Sequence, residues 1–313
     1  YVAALLEQGQ HMLFFPGGTR SRSGAVESRL KLGLLGTGLE AMRRRLPHDT
    51  RPIYFVPCTL SYPLVLEAET LVREYLRNQG GFRYLEPPDE FDRLSRWLDL
   101  LRALARLRLR IHVRVGRALD PFGNPVGEDG CSRDPAGRII DPAGYLREGT
   151  RVVDDPPRDA EYVRMLAEKI LPEYRSNVVA LPTHAVAFAA YSLMRAEHPE
   201  PDLYRFLHRT QTGTSFRVTE LSLRLSQVLE ALERAERQGR VSCSTTLKRA
   251  SALEVLHAGL DAFSAYHQRC ALMLDGERAH VRASELIFYY QNRIAEHMGG
   301  QRFDGRSTFG GRR

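Results

Sequence analysis

The sequence has few cysteines and no long apolar run. Its 313 residues include four cysteines, which are scattered without a Cys-x-x-Cys spacing: Cys58, Cys131, Cys243 and Cys270. This pattern favours reduced thiols in a cytosolic setting over a disulfide framework or a zinc site. No stretch approaches the roughly 20 apolar residues of a membrane-spanning helix, so the sequence predicts no spanning segment.

Charged residues are plentiful, and positive charge is in excess. The chain has 45 lysines and arginines against 38 aspartates and glutamates, a net charge of +7. This balance favours anionic partners such as nucleic acid, lipid head groups or phosphorylated substrates, without choosing among them. The length is sufficient for a mixed domain with its own core and a helical extension.

Residues 14–24 form a segment rich in glycine and arginine, which we call the Gly/Arg loop. Its sequence is Phe-Phe-Pro-Gly-Gly-Thr-Arg-Ser-Arg-Ser-Gly. Glycines let the backbone approach an anion closely, and Arg20 and Arg22 can each donate a forked pair of hydrogen bonds to phosphate oxygens. The loop therefore predicts a phosphate-binding site. A Gly-rich surface turn with two solvated arginines is the alternative.

The first 65 residues follow the order strand, loop, helix, strand. An apolar run predicts a short strand at residues 11–15, and residues 30–45 have helical spacing, with Leu34, Leu35 and Leu39 on one face. Residues 53–60 are apolar nearly throughout, which predicts a buried, parallel strand. This is the βαβ order of an α/β fold, in which ligands bind beyond the carboxyl ends of the strands.

A second patterned segment lies at residues 94–115. Helical spacing up to residue 104 is followed at residues 106–115 by strict alternation of arginine or histidine with leucine, isoleucine or valine. The alternation predicts a half-buried strand with a basic outer face. Its cations could contact anionic lipid head groups, each contributing about 1 kcal/mol, or could keep an edge strand from pairing with another sheet.

The remainder of the chain is predicted to be mainly helical. Residues 120–157 are rich in glycine, proline and aspartate, which predicts an irregular connection with a short hairpin and a domain boundary. We then expect helices over residues 162–170, 183–195, 219–238 and 283–298. Residues 223–241 could also be the last helix and wing of a DNA-binding winged helix, although their alternating arginine and glutamate are more typical of a solvated bundle helix.

Several groups of residues resemble a known family. Residues 15–24 resemble the third conserved block of the glycerophospholipid acyltransferases, usually written Phe-Pro-Glu-Gly-Thr-Arg-Ser-Arg, and residues 52–62 resemble the fourth block. Residues 176–184 and 288–292 are similar to the helical tail of the glycerol-3-phosphate and dihydroxyacetone-phosphate acyltransferases. The resemblance implies an α/β fold with a mixed sheet, followed by an α-helical tail domain.

The resemblance also implies the domains and the site. Residues 1–150 would be the C-terminal part of the acyltransferase domain, residues 158–300 a helical region and residues 301–313 a flexible tail. The residues implied to bind the substrate phosphate are Gly17, Gly18, Thr19, Arg20, Ser21, Arg22 and Lys31. Those implied to shape the acyl or acceptor pocket are Phe15, Pro16, Val56 and Pro57. No metal or organic cofactor is implied.

The chain departs from the family pattern in three places. Family members carry a catalytic histidine followed five positions later by aspartate, and none of the ten histidines here has that partner. We therefore expect a chain incomplete at its N-terminus, with the catalytic pair upstream of Tyr1. Gly17 stands where the third block usually has glutamate, so water or another residue must replace that carboxylate, or the choice of acceptor differs. Pro63 follows Tyr62 where the fourth block often has glutamate.

The implied function is glycerol-3-phosphate O-acylation: transfer of an acyl group from acyl-CoA or acyl carrier protein to a glycerol phosphate hydroxyl in phospholipid biosynthesis. 1-Acylglycerol-3-phosphate and dihydroxyacetone phosphate are alternative acceptors, and a non-catalytic phosphate- or lipid-binding relative is an alternative of another class. We expect a peripheral protein at the cytoplasmic face of the membrane, or a cytoplasmic one, inactive as this fragment alone. A nucleic-acid partner is not expected, because aromatic side chains are not interleaved with the cationic ones.

Overall fold

The computed structural model describes residues 1–79 and 110–299, except positions 19, 47, 212, 266 and 268. These residues combine α-helices with small β-sheets, which confirms the mixed helical and sheet character of the predicted fold. The α-helices are α1 (Val2–Glu7), α2 (Leu32–Arg45), α3 (Ala68–Asn78), α4 (Pro156–Ser176), α5 (Pro182–Glu197), α6 (Leu203–Thr210), α7 (Val218–Arg237), α8 (Thr245–Arg249), α9 (Ala252–Ser264) and α10 (Ser284–Ala295). Short 3₁₀ helices lie at Pro142–Leu146 and Glu296–Met298.

The β-strands of the described residues are short and pair in four small sheets. They are β1 (Cys58–Ser61), β2 (His112–Val115), β3 (Arg147–Glu148), β4 (Arg151–Val152), β5 (Val179–Ala180), β6 (Ser215–Arg217), β7 (Ser242–Cys243), β8 (Leu272–Asp275) and β9 (Arg278–Val281). β1 pairs with β2, and β9 lies between β6 and β8, antiparallel to both. The antiparallel β3–β4 pair confirms the predicted hairpin. β7 follows α7 but pairs in parallel with β5, so this region does not form the hairpin wing of a winged helix.

The described residues belong to two compact units. The first unit comprises residues 1–20, 27–59 and 113–177, and the second, which we call the helical unit, comprises residues 21–26 and the described parts of 60–112 and 178–313. These limits do not coincide with the boundary predicted near residue 150, because α4 belongs to the first unit. The chain passes from the first unit into the helical unit inside the Gly/Arg loop, between Arg20 and Ser21.

The core of the first unit is formed largely by α2 and α4. Leu35 and Leu39 lie four residues apart on one face of α2 and are buried together with Leu166 and Ile170 of α4. Leu34 was predicted on that face, but its side chain is 41% exposed. Because a helix has 3.6 residues per turn, Leu34 points about 100° away from Leu35.

Two extended segments of the first unit differ from their predictions. Residues 11–15 form no regular strand. Within residues 53–60, only the last part belongs to β1, while Phe55 forms a single antiparallel bridge and Val56 is 52% exposed. The prediction of a buried, parallel strand here is therefore wrong. Pro57 contributes to this outcome, because a proline has no N–H with which to continue a ladder of hydrogen bonds.

Among the described residues of the alternating segment, residues 106–115, the strand is β2. Val113 and Val115 of β2 are 57% and 65% exposed, and Ile111 is 59% exposed, so the prediction of a half-buried strand is wrong for these residues. Among the described residues, β2 has β1 as its one sheet neighbour. Residues 106–109 of this segment, and the helical pattern that precedes it, lie within residues 80–109, outside the described ranges.

The helical unit buries large aromatic side chains between its helices. Tyr191 on α5 and Phe288 and Tyr290 on α10 are each no more than 1% exposed, and the rings of Tyr191 and Phe288 lie 6.2 Å apart. The four predicted helices are confirmed as α4, α5, α7 and α10 with its 3₁₀ extension. No helix in the described ranges is long and apolar enough to cross a bilayer.

Candidate functional site

The first half of the Gly/Arg loop is a tight turn that returns to the start of α2. The Gly18 N–H donates to the carbonyl of Phe15 at 3.0 Å, and the Lys31 N–H donates to the carbonyl of Pro16 at 2.7 Å. Gly18 has a φ of +75°, a conformation that glycine adopts without steric cost. These contacts hold the backbone of the turn beside the first residues of α2.

The N-terminus of α2 has no side-chain cap. Its N-cap residue is Lys31, whose side chain accepts no capping hydrogen bond, although serine, threonine, aspartate and asparagine are preferred at this position. The first backbone N–H groups of the helix therefore receive no acceptor from the N-cap side chain. They also carry the positive end of the helix dipole. A helix N-terminus of this kind next to a glycine turn is suited to binding an anion.

Two charged side chains occupy the places where side chains of Gly17 and Gly18 would begin. A Cβ atom on Gly17 would lie 2.5 Å from Oε1 and 2.9 Å from Oε2 of Glu27, and a Cβ atom on Gly18 would lie 2.6 Å from Nζ of Lys31. Any residue larger than glycine at position 17 or 18 would displace the side chain of Glu27 or Lys31. The two glycines thus leave room for a carboxylate and an ammonium group beside the turn.

Tyr174 on α4 lies within electrostatic range of the same carboxylate. The pKa of the Tyr174 phenol is raised to about 12, mainly by burial and then by electrostatic interactions with Cys58 and Glu27. The phenol therefore keeps its proton at neutral pH and can donate a hydrogen bond.

The second half of the Gly/Arg loop belongs to the helical unit and is held there by hydrogen bonds. Arg22 Nε donates to Oε2 of Glu74 on α3 at 2.8 Å, and Ser21 Oγ donates to the carbonyl of Ala25 at 2.8 Å. These contacts fix the orientation of two side chains that were predicted to bind phosphate.

The turn at residues 23–24 is also fixed to the helical unit, through α10. Asn292 Nδ2 donates to the carbonyl of Ser23 at 2.8 Å. Gly24 has a φ of +78°, and a Cβ atom there would overlap the carbonyl oxygen of Tyr289. Glycine is therefore required at position 24 both by the backbone conformation and by the close approach of α10.

The structure brings part of the predicted phosphate site together. Gly17, Gly18 and Lys31 are neighbours in the first unit, and Arg20 follows them with an exposed side chain. Thr19 lies outside the described residues. Sequence reasoning missed Glu27, whose only signal was the absence of glutamate at position 17, and it missed Glu74 and Asn292 entirely.

The residues predicted to shape a pocket lie in varied environments. Phe15 is 70% exposed, whereas Pro16 is buried. Val56 is exposed, and Pro57 is buried with its carbonyl accepting a hydrogen bond from the Gly116 N–H at 2.7 Å. No cluster of three or more histidine, cysteine, aspartate or glutamate side chains in the described part of the chain could hold a metal ion.

Comparison with known proteins gives one similarity of note. The chain is 31% identical over 126 residues to a glycerol-3-phosphate acyltransferase of Glaesserella parasuis serovar 5 (strain SH0165). The match covers 40% of this chain and 13% of the relative's length. No protein-family model matches the chain.

Proposed function

We propose that Gly17, Gly18, Arg20 and Lys31 of the first unit bind the phosphate group of a glycerol phosphate, and that the chain belongs to an acyltransferase acting on this acceptor. The observation that carries the proposal is the uncapped N-terminus of α2, held against the Gly17–Gly18 turn by the bond from Lys31 N–H to Pro16. The partial similarity to a glycerol-3-phosphate acyltransferase supports the reaction class.

The chemistry of this proposal is acyl transfer from a thioester to a hydroxyl. The donor would be acyl-CoA or an acyl carrier protein, and a base must remove the proton of the hydroxyl as the new ester bond forms. The residues of the loop would position the acceptor, a contribution worth several kcal/mol for a small flexible phosphate ester. 1-Acylglycerol-3-phosphate and dihydroxyacetone phosphate are acceptors with the same phosphate chemistry.

We also propose a peripheral membrane location for the site, at the cytoplasmic face. Leu13, just before the loop, is 82% exposed, and Phe15 within the loop is 70% exposed. Arg20 of the loop is exposed as well. Apolar side chains next to a cation suit the boundary between lipid head groups and acyl chains.

Arg20→Ala is expected to weaken binding of glycerol-3-phosphate and of inorganic phosphate by about 10-fold or more, because a charge-assisted pair of hydrogen bonds to phosphate is lost. Isothermal titration calorimetry measures both affinities. Arg138→Ala is the control, since Arg138 is an exposed arginine of the first unit that pairs with Asp134. Equal affinities in the wild-type chain and Arg20→Ala, or an equal loss in the control, would contradict the assignment of the loop.

The 313-residue chain is expected to release no thiol from acyl-CoA in the presence of glycerol-3-phosphate. None of its histidines is followed five positions later by aspartate, so the pair that would deprotonate the hydroxyl is absent from this sequence. A colorimetric thiol assay, calibrated with added free CoA, checks this. Clear consumption of acyl-CoA above the rate without protein would show that another base serves the reaction.

A further inference from the structure

We infer that Glu27 recognises the hydroxyl groups of the acceptor, so that the Gly/Arg loop selects a phosphate ester with a neighbouring hydroxyl over a simple phosphate. This inference rests on the proposed function of the loop. The Gly/Arg loop itself contains no carboxylate, so the inference assigns this role in specificity to Glu27, a residue outside the loop.

The first support is the position of the Glu27 carboxylate. Both of its oxygens lie within 2.9 Å of the point where a side chain at Gly17 would begin. The block that the loop resembles has glutamate at that position, and here the carboxylate comes from ten residues further along the chain. Glu27 is half-buried, so its carboxylate is partly shielded from water, which strengthens its hydrogen bonds and charge interactions.

The second support is the order of charges along the turn. The Glu27 carboxylate lies at Gly17 and the Lys31 ammonium group lies at Gly18. Successive Cα atoms are about 3.8 Å apart. A negatively charged acceptor, the Glu27 carboxylate, and a positively charged donor, the Lys31 ammonium group, therefore lie beside two consecutive residues of the turn. A carboxylate accepts hydrogen bonds from hydroxyl groups and repels a phosphate, whereas an ammonium group donates to phosphate oxygens. A three-carbon phosphate ester with a free hydroxyl satisfies both groups at once.

A purely structural role for Glu27 predicts a different behaviour. If Glu27 only ordered the turn, its removal would weaken the binding of every phosphate compound to the same extent. If Glu27 recognises hydroxyls, its removal weakens only ligands that have them. It leaves a ligand without hydroxyls unchanged or bound more tightly, because a repelling charge is removed.

The test compares glycerol-3-phosphate with 1-propyl phosphate, which has the same phosphate and carbon chain but no hydroxyl. By titration calorimetry, the wild-type chain is expected to prefer glycerol-3-phosphate by about 10-fold, the effect of a hydrogen bond to a charged group. In Glu27→Gln this preference should fall to about 2-fold, with the affinity for 1-propyl phosphate unchanged or increased. Glu161→Gln is the control, because Glu161 is an exposed carboxylate of the first unit that pairs with Arg164.

A second variant moves the carboxylate instead of removing it. The φ of Gly17 is not positive, so glutamate meets no backbone strain there once Glu27 no longer occupies the space. Glu27→Ala should lose the preference, and Gly17→Glu combined with Glu27→Ala should restore about 5-fold or more of it. Recovery in the double variant identifies the carboxylate itself as the selective group.

The outcomes separate this inference from the proposed function. If the wild-type chain binds neither ligand, or if Arg20→Ala binds both as well as the wild type does, the proposed function fails and the inference with it. If both ligands bind and Arg20→Ala weakens both, but Glu27→Gln changes neither affinity or weakens both equally, then the inference alone is overturned.

Discussion

Lowering the pH from 6.5 to 5 is expected to reduce the free energy of unfolding of the helical unit by about 3 kcal/mol. Two buried histidines cause this effect. The pKa of His184 is lowered to about 3, mainly by burial and then by the positive charge of Arg293. The pKa of His267 is lowered to about 4 by burial.

The direction follows from proton binding. Because both pKa values lie below the ordinary value of 6.5, the unfolded chain binds protons between pH 6.5 and pH 5 that the folded unit does not. Stability therefore falls as the pH falls, by about 0.7 kcal/mol per pH unit for each histidine near pH 6.5, where half of the unfolded histidines are protonated, and by about 1.4 kcal/mol per pH unit near pH 5. The backbone N–H of Leu181 donates to Nδ1 of His184 at 3.3 Å, a bond that requires this nitrogen to be unprotonated.

Urea unfolding followed by circular dichroism at pH 6.5 and pH 5 measures the effect. His267→Gln should remove about half of the pH dependence, since glutamine does not titrate in this range. His257→Gln provides the control, because His257 is an exposed histidine of α9 in the same unit. The same pH dependence in His267→Gln as in the wild-type chain would contradict the assignment.

Gly24→Ala is expected to lower the free energy of unfolding by about 3 kcal/mol or more. Alanine at a φ of +78° is strained, and its Cβ atom would overlap the carbonyl oxygen of Tyr289 in the backbone of α10. A backbone atom in a packed helix cannot move aside as the end of a flexible side chain can. The segment at residues 21–26 would therefore have to leave its place, breaking the bond from Asn292 to Ser23.

The variant Gly213→Ala separates the cost of the positive φ from the cost of the overlap with α10. Gly213 also lies in the helical unit with a positive φ, of +86°, but a Cβ atom there would meet nothing within 4 Å. We expect this variant to lose only about 1 kcal/mol, the cost of the backbone conformation. Urea denaturation of both variants gives the difference. Equal losses would mean that the contact between Gly24 and α10 adds nothing to stability.

The sequence was sufficient to predict the helices α2, α4, α5, α7 and α10, but α3, α6, α8 and α9 were not predicted. The period of α7 follows from its apolar residues, such as Leu221 and Leu225, because one face of this helix is buried. Arg20 and Lys31 were likewise identified as candidates from residue type and from the resemblance of the loop. These features depend on local spacing, which a single sequence displays directly.

The contacts that complete the loop could not be predicted, because they depend on packing between distant residues. Glu74 meets Arg22 across 52 positions and Asn292 meets Ser23 across 269, and no local pattern connects these pairs. In the alternating segment, residues 106–115, the local pattern was read correctly but the burial was not. Its period correctly indicated a strand at β2, but period alone does not decide whether a layer covers the apolar side, and Val113 and Val115 are exposed.

The hydrogen bond between Asn292 and Ser23 joins residues that are far apart in the sequence, which has a consequence for synthesis of the chain. These residues are 269 positions apart, and translation proceeds at about 5–20 residues per second. Residues 21–26 therefore leave the ribosome roughly 13 to 54 seconds before the helix on which they dock. Closing so long a loop also carries an entropic cost. The anchoring of this segment to α10 must therefore wait until α10 has been synthesised, and chaperones or proteases can act on residues 21–26 during that interval.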